Sequence, residues 1–149
     1  MRILIDADGC PVVGIAVETG NKAGIECIII CDTSHVYELE GARTIIVSKG
    51  ADSVDFELVN MLEAGDIVVT QDYGLAAMAL ARRGIPLTQN GLIISDSNIE
   101  SLLTQRHISK KIRSAGGRLK GPSKRSPEQD KAFLHSLERI ISGYSQNRD

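Results

Sequence analysis

Four apolar runs, too short to cross a membrane and too continuous to be half-exposed strands, constrain this chain more than any other feature. Residues 3–5, 25–31 (broken only by Glu26), 44–47 and 67–70 show no alternation of apolar with polar side chains. A strand covered on one face alternates. One covered on both faces, as in a parallel sheet between helices, reads as a continuous apolar run.

The intervals carry helical signals. Pro11 suits the first position of a helix reaching about Asn21. Over residues 52–64, Val54, Leu58, Met61 and Leu62 recur at helical spacing before Gly65. Residues 73–83 set Leu75, Met78 and Ala79 on one face and stop at Gly84. Residues 85–87 read as a fifth strand, with a turn-linked extension at 92–94. Ser97 with Glu100, and Ser126 with Gln129 beside Pro127, have the spacing of capping boxes for two later helices, over 98–103 and 127–142. Strands alternating with helices define an α/β fold, a mostly parallel β-sheet flanked by helices. With 149 residues, 42% of them hydrophobic, the chain suits one domain spanning 1–149. A basic, Gly-rich loop is expected over residues 106–125.

No apolar run approaches the roughly 20 residues of a membrane span, and the first residues do not form a signal peptide. Three cysteines make no disulfide framework, and Cys27 and Cys31, flanking three isoleucines, read as buried thiols. The expected location is the cytoplasm, with no membrane partner. Oligomeric state leaves no mark on the sequence.

In doubly wound sheets the site lies outside the carboxyl ends of the strands, so acids at those ends become the candidates. Asp6 ends the first run and Asp8 follows; Asp72 stands just past the fourth; Asp52 and Asp55 open the helix after the third. Each has an ordinary explanation: Asp72 and Asp52 as N-caps, Asp55 as a first-turn acid, Asp8 as turn chemistry beside Gly9. Asp6 fits none of these, because an acid ending a buried strand is desolvated without capping a helix. If the first and fourth strands are neighbours, these acids meet at one rim. Oxygen-only, charge-dense clusters suit Mg²⁺ or Mn²⁺, ions that polarise a phosphodiester and activate water. Cys10 and His35 lie near the same rim without a matched catalytic partner, so their roles stay open.

Charge is unevenly spread. Residues 1–105 hold 6 Lys+Arg against 15 Asp+Glu, whereas residues 106–131 hold 9 against 2. A basic segment on an acidic body fits a protein that holds cations in one place and phosphate in another, and equally a merely solvated face.

The strings DADGCP, GDIVVTQDYGLAAMALARRG, NIESLL and GGRLKGP with SPEQDKAFLHSLERI resemble the bacterial YaiI/YqxD family of uncharacterised proteins over nearly the whole chain. That family is similar to the PIN and NYN nucleases, metal-dependent hydrolases that cut RNA with strand-end acids. The resemblance implies a PIN-like domain, with Asp6, Asp72 and Asp55 as catalytic acids and metal ligands, Asp8 as a further ligand, and Lys49 nearby. A fourth nuclease acid is not obvious; Asp96 is the candidate. The expected function is a Mg²⁺- or Mn²⁺-dependent phosphodiesterase acting on RNA, with Lys49, Arg118, Lys120, Lys124 and Arg125 contacting phosphates. One alternative is a non-catalytic nucleic-acid-binding protein. Another is a haloacid-dehalogenase-like phosphatase, suggested by the string ILIDADG, although Cys10 replaces that family's usual Thr and Asp66 precedes a strand instead of following one.

Overall fold

The structure, a computed structural model, describes residues 1–117 and 124–147. Five strands, β1 (Ile3–Asp6), β2 (Cys27–Asp32), β3 (Arg43–Val47), β4 (Ile67–Val69) and β5 (Ile85–Leu87), pair in parallel in the order β3-β2-β1-β4-β5. Five helices accompany them: α1 (Val13–Lys22), α2 (Ser53–Met61), α3 (Tyr73–Ala81), α4 (Ile99–Ser114) and α5 (Pro127–Asn147). The fold is α/β. No described helix is long and apolar enough to cross a membrane.

The continuous apolar runs have the expected cause. Alternate residues of the inner strands enter two separate cores. Ile3, Ile5, Cys27, Ile29, Ile67 and Val69 pack beneath α1 and α5, where Val13, Val17, Phe133 and Leu137 meet them. Leu4, Ile28, Ile30 and Val68 face the other way, against Leu58 and Leu62 after α2 begins and Leu75 and Ala79 of α3. β1 is central and its first three residues are wholly buried. Edge strand β3 is only partly covered, with Ile46 about half exposed. Cys27 and Cys31 are free buried thiols, and burial lifts Cys27 to about 11.

Two local expectations need correction. Residues 106–114 are not loop: α4 continues through them to Ser114. It ends because Gly116 takes a left-handed φ of 84°, letting Gly116 N–H bond Arg113 O and Gly117 N–H bond Ile112 O, the Schellman stop. This stretch buries no side chain, so the apolar periodicity that betrays other helices is missing. The Ser97–Glu100 capping box also fails. Asn98 precedes α4, and its amide instead ties down the approach, accepting from Ser95 N–H and donating to Ile93 O. The second box forms in part, with Ser126 N–H donating to Gln129 Oε1 at 2.9 Å, and α5 runs past 142 to Asn147.

One buried acid holds the sheet's other end. Asp66, 2% exposed, accepts from Arg2 N–H, from the Arg2 guanidinium at 2.7 Å and from Glu63 N–H. These bonds fasten the start of β1 to the turn before β4, where Ile67 N–H also bonds Arg2 O. Removing one partner of such a pair strands the other. Asp66→Ala is expected to lower unfolding free energy by about 3 kcal/mol, read as a fall in the urea midpoint at unchanged m-value.

Candidate functional site

Strand order decides where a site can form. From β1 the chain moves outward through β2 to β3, then crosses back by α2 to β4 on the other side of β1. The reversal opens a crevice at the carboxyl ends of β1 and β4, the usual ligand position in such sheets. β1 and β4 are paired, with Ile5 opposite Val69. The condition placed on the acids is therefore met.

A cleft of about 480 Å³ lies there, lined by Asp6, Asp8, Asp32, Asp52, Asp55 and Asp72, with Arg106 the one cationic lining residue among those described. Asp6 ends β1 and accepts from Thr70 Oγ1 at 2.8 Å; the same hydroxyl oxygen accepts from Asp72 N–H at 3.0 Å. Thr70 thus couples the two strand-end acids through one buried hydroxyl. Asp72 does cap α3: its Oδ1 accepts from Gly74 N–H at 2.8 Å and Leu75 N–H at 3.2 Å. Capping is not its whole role, because Arg106 reaches the same oxygen at 3.3 Å and Oδ2 takes no part in the cap. Asp52 stands at the cap position of α2 with φ of 64° but makes no side-chain cap bond. Asp55 sits in the first turn of α2, where the helix dipole favours negative charge.

Electrostatics bind these acids into one unit. Asp55 is pushed up to about 6, first by desolvation, then by the charges of Asp72, Asp6 and Asp52 and a hydrogen bond with Asp72. Asp6 is raised mainly by burial, with Thr70 opposing and Asp72 and Asp8 adding to the rise. Carboxylates that raise one another are under-neutralised, and a cation among them would relieve that. The donor set, all oxygen and mostly anionic, is of the type that takes Mg²⁺ or Mn²⁺. The side chains feel one another's charge without yet converging: among the described residues, no group of three or more His, Cys, Asp or Glu is placed to hold an ion.

Other candidates fall elsewhere. Lys49 is exposed beside the rim, and its charge adds a small lowering to Asp32 after the hydrogen bonds from Ser34. Lys124 is exposed. Arg125 is occupied structurally: its guanidinium binds Asp130 at 2.7 Å, Asn90 at 2.8 Å and Gln89 O at 2.8 Å, joining α5 to the segment after β5. A guanidinium so engaged is not free for phosphate, which corrects its expected role. Arg118 and Lys120 lie outside the described residues. Asp96 and His35 do not line the cleft, and the His35 ring stacks on Tyr37 at 4.7 Å. Cys10 lines it, but burial raises its thiol, the opposite of an activated nucleophile.

The sequence reading missed Asp32, Thr70 and Arg106. Asp32 carries the same strand-end signal as Asp6 and was legible. Thr70 shows only as the residue two before Asp72, and Arg106 becomes a cleft residue only once α4 packs beside α3.

Fold and cleft together define a doubly wound α/β domain with an acid-lined crevice at its switch point. The family model described as "Uncharacterized BCR, YaiI/YqxD family" matches residues 4–143, and the chain belongs to that family. Relatives bear the name UPF0178 protein: one from Exiguobacterium sibiricum is 49% identical over 95% of this chain and 97% of its own. Another, from Ruminiclostridium cellulolyticum, is 51% identical over 98% and 95%. Among solved structures, Rae1 (YacP) from Bacillus subtilis aligns over the full length of both chains at 13% identity and a TM-score of 0.43, too loose to bear on function.

The raised Asp55 has a stability consequence. Its folded value near 6 exceeds the ordinary value of 3.8, so the native state keeps the proton longer than the unfolded chain. Ionised Asp55 therefore costs stability above about pH 6, and the cost vanishes below about pH 4. In metal-free buffer, Asp55→Asn is expected to exceed the parent by about 1 kcal/mol at pH 7.5, after allowing for solvent screening of a partly exposed group. The gain should be gone at pH 4. Urea melts at the two pH values check this.

Proposed function

We propose that this protein is a divalent-metal-dependent phosphodiesterase acting on RNA, built on a PIN-like plan. The observation that carries the reading is the meeting of Asp6, Asp55 and Asp72, from three separate segments, at one switch-point cleft where the charge of Asp72 adds to the rise of both Asp6 and Asp55. Asp6, Asp55 and Asp72 would hold Mg²⁺ or Mn²⁺, with Asp8 at the rim. The ion would supply charge neutralisation at a phosphodiester and a more acidic bound water.

The chain's own residues do the rest. Thr70 fixes the Asp6 carboxylate by donating to Oδ2, and the α3 amides fix Asp72 through Oδ1. Asp55, titrating near 6 with no ion bound, is largely ionised at neutral pH and so able to join Asp6 and Asp72 as an oxygen ligand. Below about pH 6 its proton competes with a bound cation. Arg106 stands ready for an anionic phosphate at the cleft wall.

A non-catalytic nucleic-acid-binding role is favoured by one observation, the absence among the described residues of three acids already placed around an ion. The phosphatase reading draws no support: Asp66, the acid it needs, is buried against Arg2.

With Mn²⁺ present, the protein is expected to cleave labelled single-stranded RNA. Thr70→Val should slow cleavage roughly 10–100-fold, the usual loss when a partner that orients a metal ligand is removed. Asp6→Asn should slow it further. Cleavage that survives Asp6→Asn refutes the assignment, and metal-indifferent binding without cleavage supports the binding role.

A further inference from the structure

The segment expected to be loop changes what the cleft can hold. Along α4, Ile99, Leu102, Leu103, Arg106, Lys110 and Arg113 fall at steps of three, one, three, four and three, a single helical face. In its first half this face is apolar and half-buried, where α4 packs against α3. From Arg106 onward the same face is cationic. Its direction is fixed by contact: Arg106 lines the cleft and its guanidinium meets Asp72 at 3.3 Å. Lys110 and Arg113 are exposed and continue that line beyond the body.

Among the described residues, no acid neutralises them. Residues 101–127 contain no Asp or Glu, and Lys110 and Arg113 make no side-chain hydrogen bond or ion pair among the described residues. Like charges one turn apart destabilise a helix, so this arrangement carries a cost that an anionic partner would remove. Regularly spaced cations beside a cleft suited to phosphodiesters match a polynucleotide backbone, which presents phosphates at regular intervals. A lipid surface fits less well, because the far side of this half-helix offers only Ile108 and Ile112, with no aromatic residue.

We propose that the second half of α4 is a cationic arm that seats the phosphate backbone of an RNA strand at the mouth of the acid cleft through Arg106, Lys110 and Arg113. The inference rests on the reading of the cleft as one that takes RNA, but it concerns binding and not turnover. When a strand occupies the arm, Arg106 exchanges Asp72 for a phosphate, so loading the backbone also uncovers the Asp72 carboxylate for the cleft.

The test is the binding of a labelled single-stranded RNA, followed by anisotropy against NaCl in EDTA, where no metal-dependent cleavage occurs. Each phosphate contact contributes about 0.7 to the slope of log affinity against log salt for a single strand. Lys110→Gln with Arg113→Gln is expected to flatten the slope by about 1.4. The charge-preserving pair Lys110→Arg with Arg113→Lys should keep it. Arg139→Gln on α5, whose helix packs under the opposite face of the sheet, should leave the slope as in the parent. An unchanged slope in the double variant, an equal flattening by Arg139→Gln, or binding to anionic vesicles without binding to RNA overturns the arm. A flattened slope in a protein that never cleaves keeps the arm and rejects the hydrolase reading; normal cleavage with an unchanged slope rejects the arm alone.

Discussion

The parallel pairing of β1 with β4 is the constraint on which the rest of this molecule depends. It buries Ile3, Leu4 and Ile5 between two helical layers and closes both cores at once. It also brings the ends of two strands 64 residues apart in sequence within one hydrogen bond, Thr70 to Asp6. At the opposite end, Arg2 and Asp66 clamp the same pair of strands. A buried ion pair is costly to form, but its specific geometry fixes which residues lie opposite which. A slip of one residue would invert every side chain along β1 and take Asp6 out of the cleft.

The cleft shows a conflict between stability and chemistry. Among the described residues, six carboxylates line it and one guanidinium answers them. Burial and mutual repulsion raise Asp6 and Asp55. The repulsion is tolerable because the supporting shell is satisfied: Thr70 donates to Asp6, helix amides hold Asp72, and Ser34 holds Asp32. An under-neutralised group of acids on a well-packed scaffold is the feature on which the proposed cation site rests. Arg106 supplies some of that charge from α4, a helix with no buried side chain among the described residues.

α4 illustrates a helix that local rules sustain and periodicity does not reveal. Its second half has no buried apolar stripe: Ile108 and Ile112 are exposed, and the face that packs on α3 earlier in the helix continues as Arg106, Lys110 and Arg113. Its end was visible in the sequence as Gly116 and Gly117, since only a left-handed residue completes the Schellman bonds to Arg113 O and Ile112 O. Reading charge density as loop missed that Lys, Arg and Gln are good helix formers.

The sequence by itself determined the layered α/β plan, because strands buried on both faces must be apolar throughout and helices between them must show a stripe. It determined too that Asp6 is unusual, since no local cap or turn explains an acid ending such a strand. Only the tertiary structure decided that β4 lies beside β1, and so that Asp6, Asp55 and Asp72 share a cleft instead of three separate rims. The same holds for the cations: Arg125 and Arg106 look alike along the chain, yet one is enclosed by Asp130, Asn90 and Gln89 and the other reaches the acids. Strand order and helix docking are products of long-range packing, and no spacing along the chain encodes them.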